Sequence, residues 1–266
     1  MSLLTRLAWL ACLALSSIPA RTALREQPLE WTLDGQPFSG VLVYDDSTDD
    51  PRPGLVMVPN WMGVGEAAVA MARRIAGTDY VVLVADVYGR DVRPADAAEA
   101  RQAVVAAYAD GGRTLRLRAN RAVDVLAGLD GVPVQPGRIG AVGFCFGGGV
   151  VLELARSGRE LSGGVVSFHG NLQGYQPADG PIRTPVLVLH GADDSSVPPE
   201  HVEAFTREMR EGGADWQLVS FGGARHCFSQ PENADGPPDS NCRYDERTAR
   251  RAFAMMRGFF RERFGP

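Results

Sequence analysis

The chain has 266 residues and a mass of 28.6 kDa, 45% of it hydrophobic and 22% charged. That mixture supports one sizeable core and excludes a mainly disordered chain, a small disulfide-built domain and a polytopic membrane protein. The formal charge of −5 gives no general attraction for a phosphate backbone, so no nucleic-acid partner is expected.

The first segment, Met1–Ala20, places Arg6 before an apolar run from Leu7 to Leu15, followed by small and turn-prone residues. This is the layout of a cleaved export signal, and the run is too short to span a membrane. A periplasmic or secreted protein is therefore expected, with no membrane association after cleavage. The alternative is an amphipathic or buried N-terminal helix. Cys12 is read as filler within the apolar run, not as a lipidation site. Residues 21–266 are expected to form a single domain.

Short runs rich in Val, Leu and Ile predict strands at Gly40–Tyr44, Leu55–Pro59, Tyr80–Ala85, Ile139–Gly143, Gly164–Phe168, Val186–His190 and Trp216–Phe221. Helices are expected at Gly65–Ala76, Leu115–Leu126, Phe146–Ala155, Glu200–Glu211 and Asp245–Phe260. Strands separated by helices imply a mostly parallel sheet with right-handed crossovers, covered on both faces: a three-layer α/β sandwich. Leu33–Asp45 reads as an antiparallel edge hairpin. Tyr88–Thr114 reads as a helix plus a loop over the carboxyl edge of the sheet, and Gln230–Cys242 as a polar surface excursion.

The sharpest chemical signal is Gly143-Phe144-Cys145-Phe146-Gly147-Gly148, where a strand runs into a helix. This G-x-C-x-G-G pattern is the cysteine form of a nucleophile elbow. Its glycines permit a sharp turn that lifts Cys145 over the sheet edge. The helix N-terminus below then stabilises a thiolate. A phosphate-binding loop is disfavoured, because no Lys-Ser or Lys-Thr pair follows the glycines.

Later in the chain, the loop after Val186–His190 presents Asp194, with Asp193 beside it. A carboxylate there can fix a histidine tautomer. Asp194 is favoured for its spacing before Val197-Pro198, and the other acid is left as a cap for the next helix. His226 follows the last strand and completes the chain order nucleophile, acid, base. Of the other histidines, His201 reads as a surface residue and His190 as structural, while His169 at a strand end is a candidate for substrate contact. The histidines lack metal-ligand spacing, so neither metal nor cofactor is expected. The backbone N–H groups of Trp61 and Phe146 are the candidate oxyanion donors. Cys227 and Cys242 either form a disulfide beside His226 or stay as thiols.

The elbow GFCFGG, the acid loop HGADDSSVP, the histidine segment GGARHCF and the stretch VLVADVYGR ending at Arg90 together resemble the dienelactone hydrolases (carboxymethylenebutenolidases) of the α/β-hydrolase superfamily, over roughly Phe38 to Phe260. The resemblance implies a Cys145–Asp194–His226 triad that cleaves small esters or lactones through a thioacyl intermediate. It implies Arg90 as one of two arginines gripping a substrate carboxylate. Two positions depart from the pattern: Asn60 stands where the family carries a glutamate, and Gln230 where it carries the second arginine. Both are candidate substrate contacts, and the anion grip is half present. The rival readings are a non-catalytic small-molecule-binding or stress protein and an acyltransferase using the same thioacyl chemistry. Oligomeric state is not legible.

Overall fold

The computed structural model describes residues 24–265. The expected leader, Met1–Ala20, lies outside the described residues. One eight-stranded sheet organises the described residues. Its strands are β1 (Leu24–Leu33), β2 (Gln36–Asp45), β3 (Arg52–Val58), β4 (Val81–Val84), β5 (Val134–Phe144), β6 (Val165–Phe168), β7 (Val186–Gly191) and β8 (Trp216–Phe221). They lie in the order β1-β2-β4-β3-β5-β6-β7-β8, with β2 antiparallel to both its neighbours and the pairs from β4 to β8 parallel.

Alternation along the strands builds two cores. In β7, Val186 and Val188 face one side while Leu187 and Leu189 face the other. In β3, Val56 and Val58 oppose Leu55 and Met57 in the same way. Because both faces are covered, consecutive positions in the middle of such a strand are apolar. Helices α2 (Ala97–Ala107), α3 (Arg113–Ala127), α4 (Phe146–Arg156) and α5 (Pro199–Glu211) cover the first face. Helices α1 (Glu66–Ala76) and α6 (Glu246–Phe264) cover the second, where Ile75, Phe253 and Phe260 are buried. Among the described residues, no helix is long and apolar enough to cross a membrane.

The edge hairpin is larger than expected. Leu33–Asp45 is not its full extent: β2 occupies most of that range, and its partner β1 reaches back to Leu24. The turn is Asp34-Gly35, both at positive φ (50° and 79°), as a tight two-residue hairpin turn requires. The helix expected within Tyr88–Thr114 is α2, capped by Asp96, whose carboxylate accepts the N–H groups of Ala98 and Glu99 at 2.8 and 2.9 Å. After α2, Tyr108 packs edge-on against Phe146 at the carboxyl end of the sheet.

Helix α4 is buried along its whole length, including Glu153 and Arg156. Buried charges persist only when paired. Arg116 and Arg156 donate to Glu153 at 2.8 and 3.0 Å, and Arg156 also reaches Glu208 at 2.7 Å. This network fixes the helix on whose first turn the nucleophile stands.

Candidate active site

Cys145 occupies the bend between β5 and α4 with φ 55° and ψ −116°, a conformation that L residues rarely adopt. The surrounding backbone enforces it. A β-carbon at Gly143 would stand 2.0 Å from the carbonyl oxygen of Gly147, and one at Gly147 would stand 2.1 Å from that of Val58. The Cys145 N–H donates to Phe168 of β6 at 3.0 Å and ties the bend to the next strand.

His226, in the turn region after β8, meets the nucleophile. Its Nε2 lies 3.0 Å from Cys145 Sγ, and its Nδ1 lies 2.7 Å from Asp194 Oδ2. Of the two adjacent acids, Asp194 is buried and Asp193 is exposed. Burial opposes ionisation of Asp194, but the His226 hydrogen bond and charge, with the Ser196 N–H and Asn241, outweigh it and bring its pKa down to about 2. Burial likewise works against a charged His226. Its bonds to Asp194 and Cys145, with the charges on both, overcome that and raise its pKa to about 10. The arrangement therefore favours an imidazolium clasped between a carboxylate and a sulfur.

Cys145 opens into a cavity of about 450 Å³ walled by Trp61, Met62, Arg93, Gln230, Glu232 and the cystine Cys227–Cys242. A second cleft, about 580 Å³, lies beyond the acid loop, and Cys145 is not part of its wall. The disulfide alternative for Cys227 and Cys242 is thus the one realised, and Cys145 is the free cysteine among the described residues.

The other expected contacts are distributed unevenly. Asn60, Trp61 and Gln230 reach the cavity. Asn60 uses its side-chain oxygen to accept the Met62 N–H at 3.0 Å, so it shapes the turn beneath Trp61. Gln230 donates to Glu232 at 2.9 Å. Arg90 is not brought to the cavity: its guanidinium faces Glu30 at 3.5 Å and Asp91 at 3.7 Å, because β1 supplies an acidic edge beside it. Arg93 lines the wall instead, with its guanidinium donating to Gly89, Val92 and Ser39 carbonyls and to Asp86. His169 is fully buried, so it offers no surface to a substrate. It stands edge-on behind His226, ring centroids 5.2 Å apart, and pairs with Ser229 at 2.8 Å. Burial, and then the His226 charge, hold it well below the ordinary imidazole value.

Besides Arg93, two contributors escape sequence reasoning. Tyr88 donates its hydroxyl to the Trp61 carbonyl at 3.0 Å and stacks its ring on Phe146 at 5.1 Å, touching both candidate oxyanion segments. Asn241 bonds Asp194 from the far end of the polar loop. Tyr88 sits in the stretch ending at Arg90, and that position was its signal; an isolated loop asparagine carries none. Among the described residues, no group of three or more His, Cys, Asp or Glu is placed to hold a metal ion.

A parallel sheet with a strained cysteine elbow, an acid after β7 and a histidine after β8 defines an α/β-hydrolase with a Cys–His–Asp triad. The model of the dienelactone hydrolase family matches residues 38–264, and the chain belongs to that family. It is 35% identical to a solved structure named m3DLH, covering 90% of this chain and 98% of that one with a TM-score of 0.83. It is 34% identical to P91, a dienelactone hydrolase-like promiscuous phosphotriesterase from metagenomic libraries, at the same coverage and a TM-score of 0.82. A putative carboxymethylenebutenolidase of Escherichia coli (strain K12) is 28% identical over 210 residues, 72% of this chain and 71% of the relative.

Proposed function

We propose that this hydrolase cleaves small, uncharged esters or lactones through an acyl group carried on Cys145. The observation that carries the chemistry is the 3.0 Å contact between Cys145 Sγ and an imidazole anchored at 2.7 Å on Asp194. With the proton resting on His226, the sulfur of Cys145 attacks the carbonyl carbon to form a C–S bond. The negative charge moves to the carbonyl oxygen, where the N–H groups of Trp61 and Phe146 receive it. Tyr88 supports that role, because it holds the Trp61 carbonyl and the Phe146 ring together. His226 then protonates the departing alkoxide as the C–O bond breaks.

Acylation also resets the base. Part of the support for the His226 cation comes from Cys145 itself, through its hydrogen bond and charge. Once the sulfur is acylated, that support is gone and the imidazolium holds its proton less tightly. Having given the proton to the alkoxide, neutral His226 can draw one from water. The water attacks the thioester, the C–S bond breaks, and the acid leaves.

The uncharged-substrate reading rests on the cavity wall. Gln230 replaces one cation and is bonded to Glu232, Arg90 faces away, and the Arg93 guanidinium is engaged by Asp86 and three carbonyls. A substrate carboxylate would meet Glu232 without a free cation opposite. Uncharged phosphotriesters are a second class, favoured by the same wall and by the similarity to P91. Export to an oxidising compartment is part of this reading, supported by the Met1–Ala20 pattern and by the cystine.

The test is acyl capture. Brief exposure to a nitrophenyl ester should add acyl mass to Cys145, and Cys145→Ala should abolish both the adduct and turnover while leaving Tm within about 2 °C. Unchanged turnover in that variant rejects the nucleophile. Neutral esters should exceed carboxylate-bearing isosteres at least about tenfold in kcat/KM, roughly the weight of one unfavourable charge contact. The opposite ranking rejects the uncharged-substrate reading.

A further inference from the structure

The acid of the triad is held by a residue that no motif contains. Asn241 Nδ2 donates to Asp194 Oδ1 at 3.1 Å and to Ser196 Oγ at 2.8 Å. Its Oδ1 accepts the Ser195 N–H at 3.0 Å. Asp194 Oδ1 also accepts the Ser196 N–H at 2.9 Å, which leaves Oδ2 for His226. One amide thus grips both the carboxylate and the loop that carries it.

Asn241 reaches this place from the polar loop, one residue before Cys242. Cys242 is bonded to Cys227, and Cys227 directly follows His226. The two segments also pair through their backbones, the Arg243 N–H donating to the His226 carbonyl at 2.8 Å. Arg225 ties the same loop inward through the carbonyls of Pro238 and Ser240, each at 2.9 Å. A covalent bond therefore joins the residue beside the base to the residue beside the acid's holder.

We propose that Asn241 is a positioning residue for Asp194, and that the Cys227–Cys242 disulfide keeps it in register with His226. Without Asn241, Oδ1 keeps only the Ser196 N–H, and the carboxylate is freer to rotate away from the imidazole. The other titratable groups facing Asp194 are His226, His190 and His169. His190 and His169 are kept below the ordinary imidazole value by burial, so at neutral pH His226 is the cation against this carboxylate.

The inference rests on the triad reading, so its test includes a readout that needs no turnover. In the full chain, the low-field proton resonance of His226 Nδ1, absent from His226→Ala, reports its bond to Asp194. It is followed on acidification in wild type, Asn241→Ala, Asn241→Leu and wild type reduced with a phosphine. A phosphine is chosen because a thiol reductant would intercept a thioacyl group. In both variants the resonance should broaden, and its loss should begin about one pH unit higher, the weight of one hydrogen bond to a charged group. With a nitrophenyl ester, kcat should fall about tenfold, the same weight, with KM within about twofold. The reduced wild type should move in the same direction. If both variants keep the wild-type resonance and acid endpoint, Asn241 merely shapes the loop and the proposal is overturned. If the variants shift and the reduced protein does not, the disulfide's part is overturned. Should neither variant fold, Asn241→Ser takes their place under the same criteria. Absence of acyl capture by wild type, with the resonance behaving as expected, would count against the hydrolase reading alone.

Discussion

Cys145 and His226 meet at 3.0 Å, yet they are held there by different means. The elbow is backbone against backbone: Gly143 and Gly147 admit contacts that no side chain would survive, and the Cys145 N–H is bonded to β6. The stretch from His226 to Asp245 is a loop outside any sheet. Its place depends on a cystine, on Asn241 and Arg225, and on two backbone bonds to His226 and Phe228. A nucleophile must be aimed once and kept rigid, and close-packed backbone does that. A base that changes partners during turnover needs a mounting that side-chain bonds can tune.

Substitutions that fill the elbow should therefore be the most damaging. Gly147→Ala puts its β-carbon 2.1 Å from the Val58 carbonyl oxygen and 2.4 Å from that of Pro59, both backbone atoms that cannot rotate aside. The cost should exceed the roughly 1–3 kcal/mol of ordinary overpacking. The expected result is little soluble protein, or a Tm lowered by more than about 10 °C. A normal Tm would show that the elbow is looser than the loop.

Breaking the loop's covalent tie comes next. The cystine closes fifteen residues, and its removal in a Cys227→Ala/Cys242→Ala double variant should cost about 3 kcal/mol by the chain-entropy relation. For a chain of this size that is a fall of roughly 6–12 °C in Tm. Folding should survive, because both cores lie on the sheet and neither contains residues 230–242. A variant that does not fold would make the loop part of the core, held as the elbow is.

The elbow was legible in the sequence because its geometry requires glycine and its chemistry requires cysteine, and few residue strings satisfy both. The strands from β3 to β8 were legible because their apolar runs face two cores. β1 was not: Arg25, Glu26, Gln27, Pro28 and Glu30 suit a charged, solvent-facing edge, and Trp31 is its one buried side chain. In α2, the face that packs is made of Ala100, Ala103 and Ala107, too small to print a strong apolar period. In the site, chain order found His226 and spacing found Asp194. Arg93 and Asn241 were missed because what places them is the path of a loop. Arg90 fits the family's motif, but its side chain answers to Glu30 on a strand the sequence did not reveal.

The clasped imidazole predicts a pH dependence with a definite sign. The folded pKa of His226 is raised to about 10 from an unfolded value of 6.5, so its stabilising contribution is complete below pH 6.5 and is lost as pH rises through 10. Between those limits the folded protein holds at most one extra proton, less whatever share Cys145 has given up, and stability should fall by up to about 1.4 kcal/mol per pH unit. Denaturant unfolding at pH 7 and 8.5 should therefore differ by up to about 2 kcal/mol in wild type. His226→Ala should lack that slope. Asp194 acts at the other end: its pKa is lowered from 3.8 to about 2, so its contribution is present above pH 3.8 and lost as pH falls through 2. An equal alkaline slope in His226→Ala would mean that other groups set it.

The smallest expected effect joins the two regions. Tyr88 is almost fully buried between the turn that carries Trp61 and the first residue of α4. Tyr88→Phe keeps the ring stacked on Phe146 and removes only the hydroxyl that holds the Trp61 carbonyl at 3.0 Å. One neutral hydrogen bond contributes about 0.5–1.5 kcal/mol, and a freed Trp61 peptide would place its N–H less well against a developing oxyanion. With a nitrophenyl ester, kcat should fall roughly three- to tenfold with KM within about twofold, because charge on that oxygen appears only in the transition state. The alkaline stability slope should be unchanged, since Tyr88 touches neither His226 nor Asp194 through a hydrogen bond. A lower Tm with unaltered kcat would place the hydroxyl in the fold alone, and Trp61 would then lose its support as an oxyanion donor.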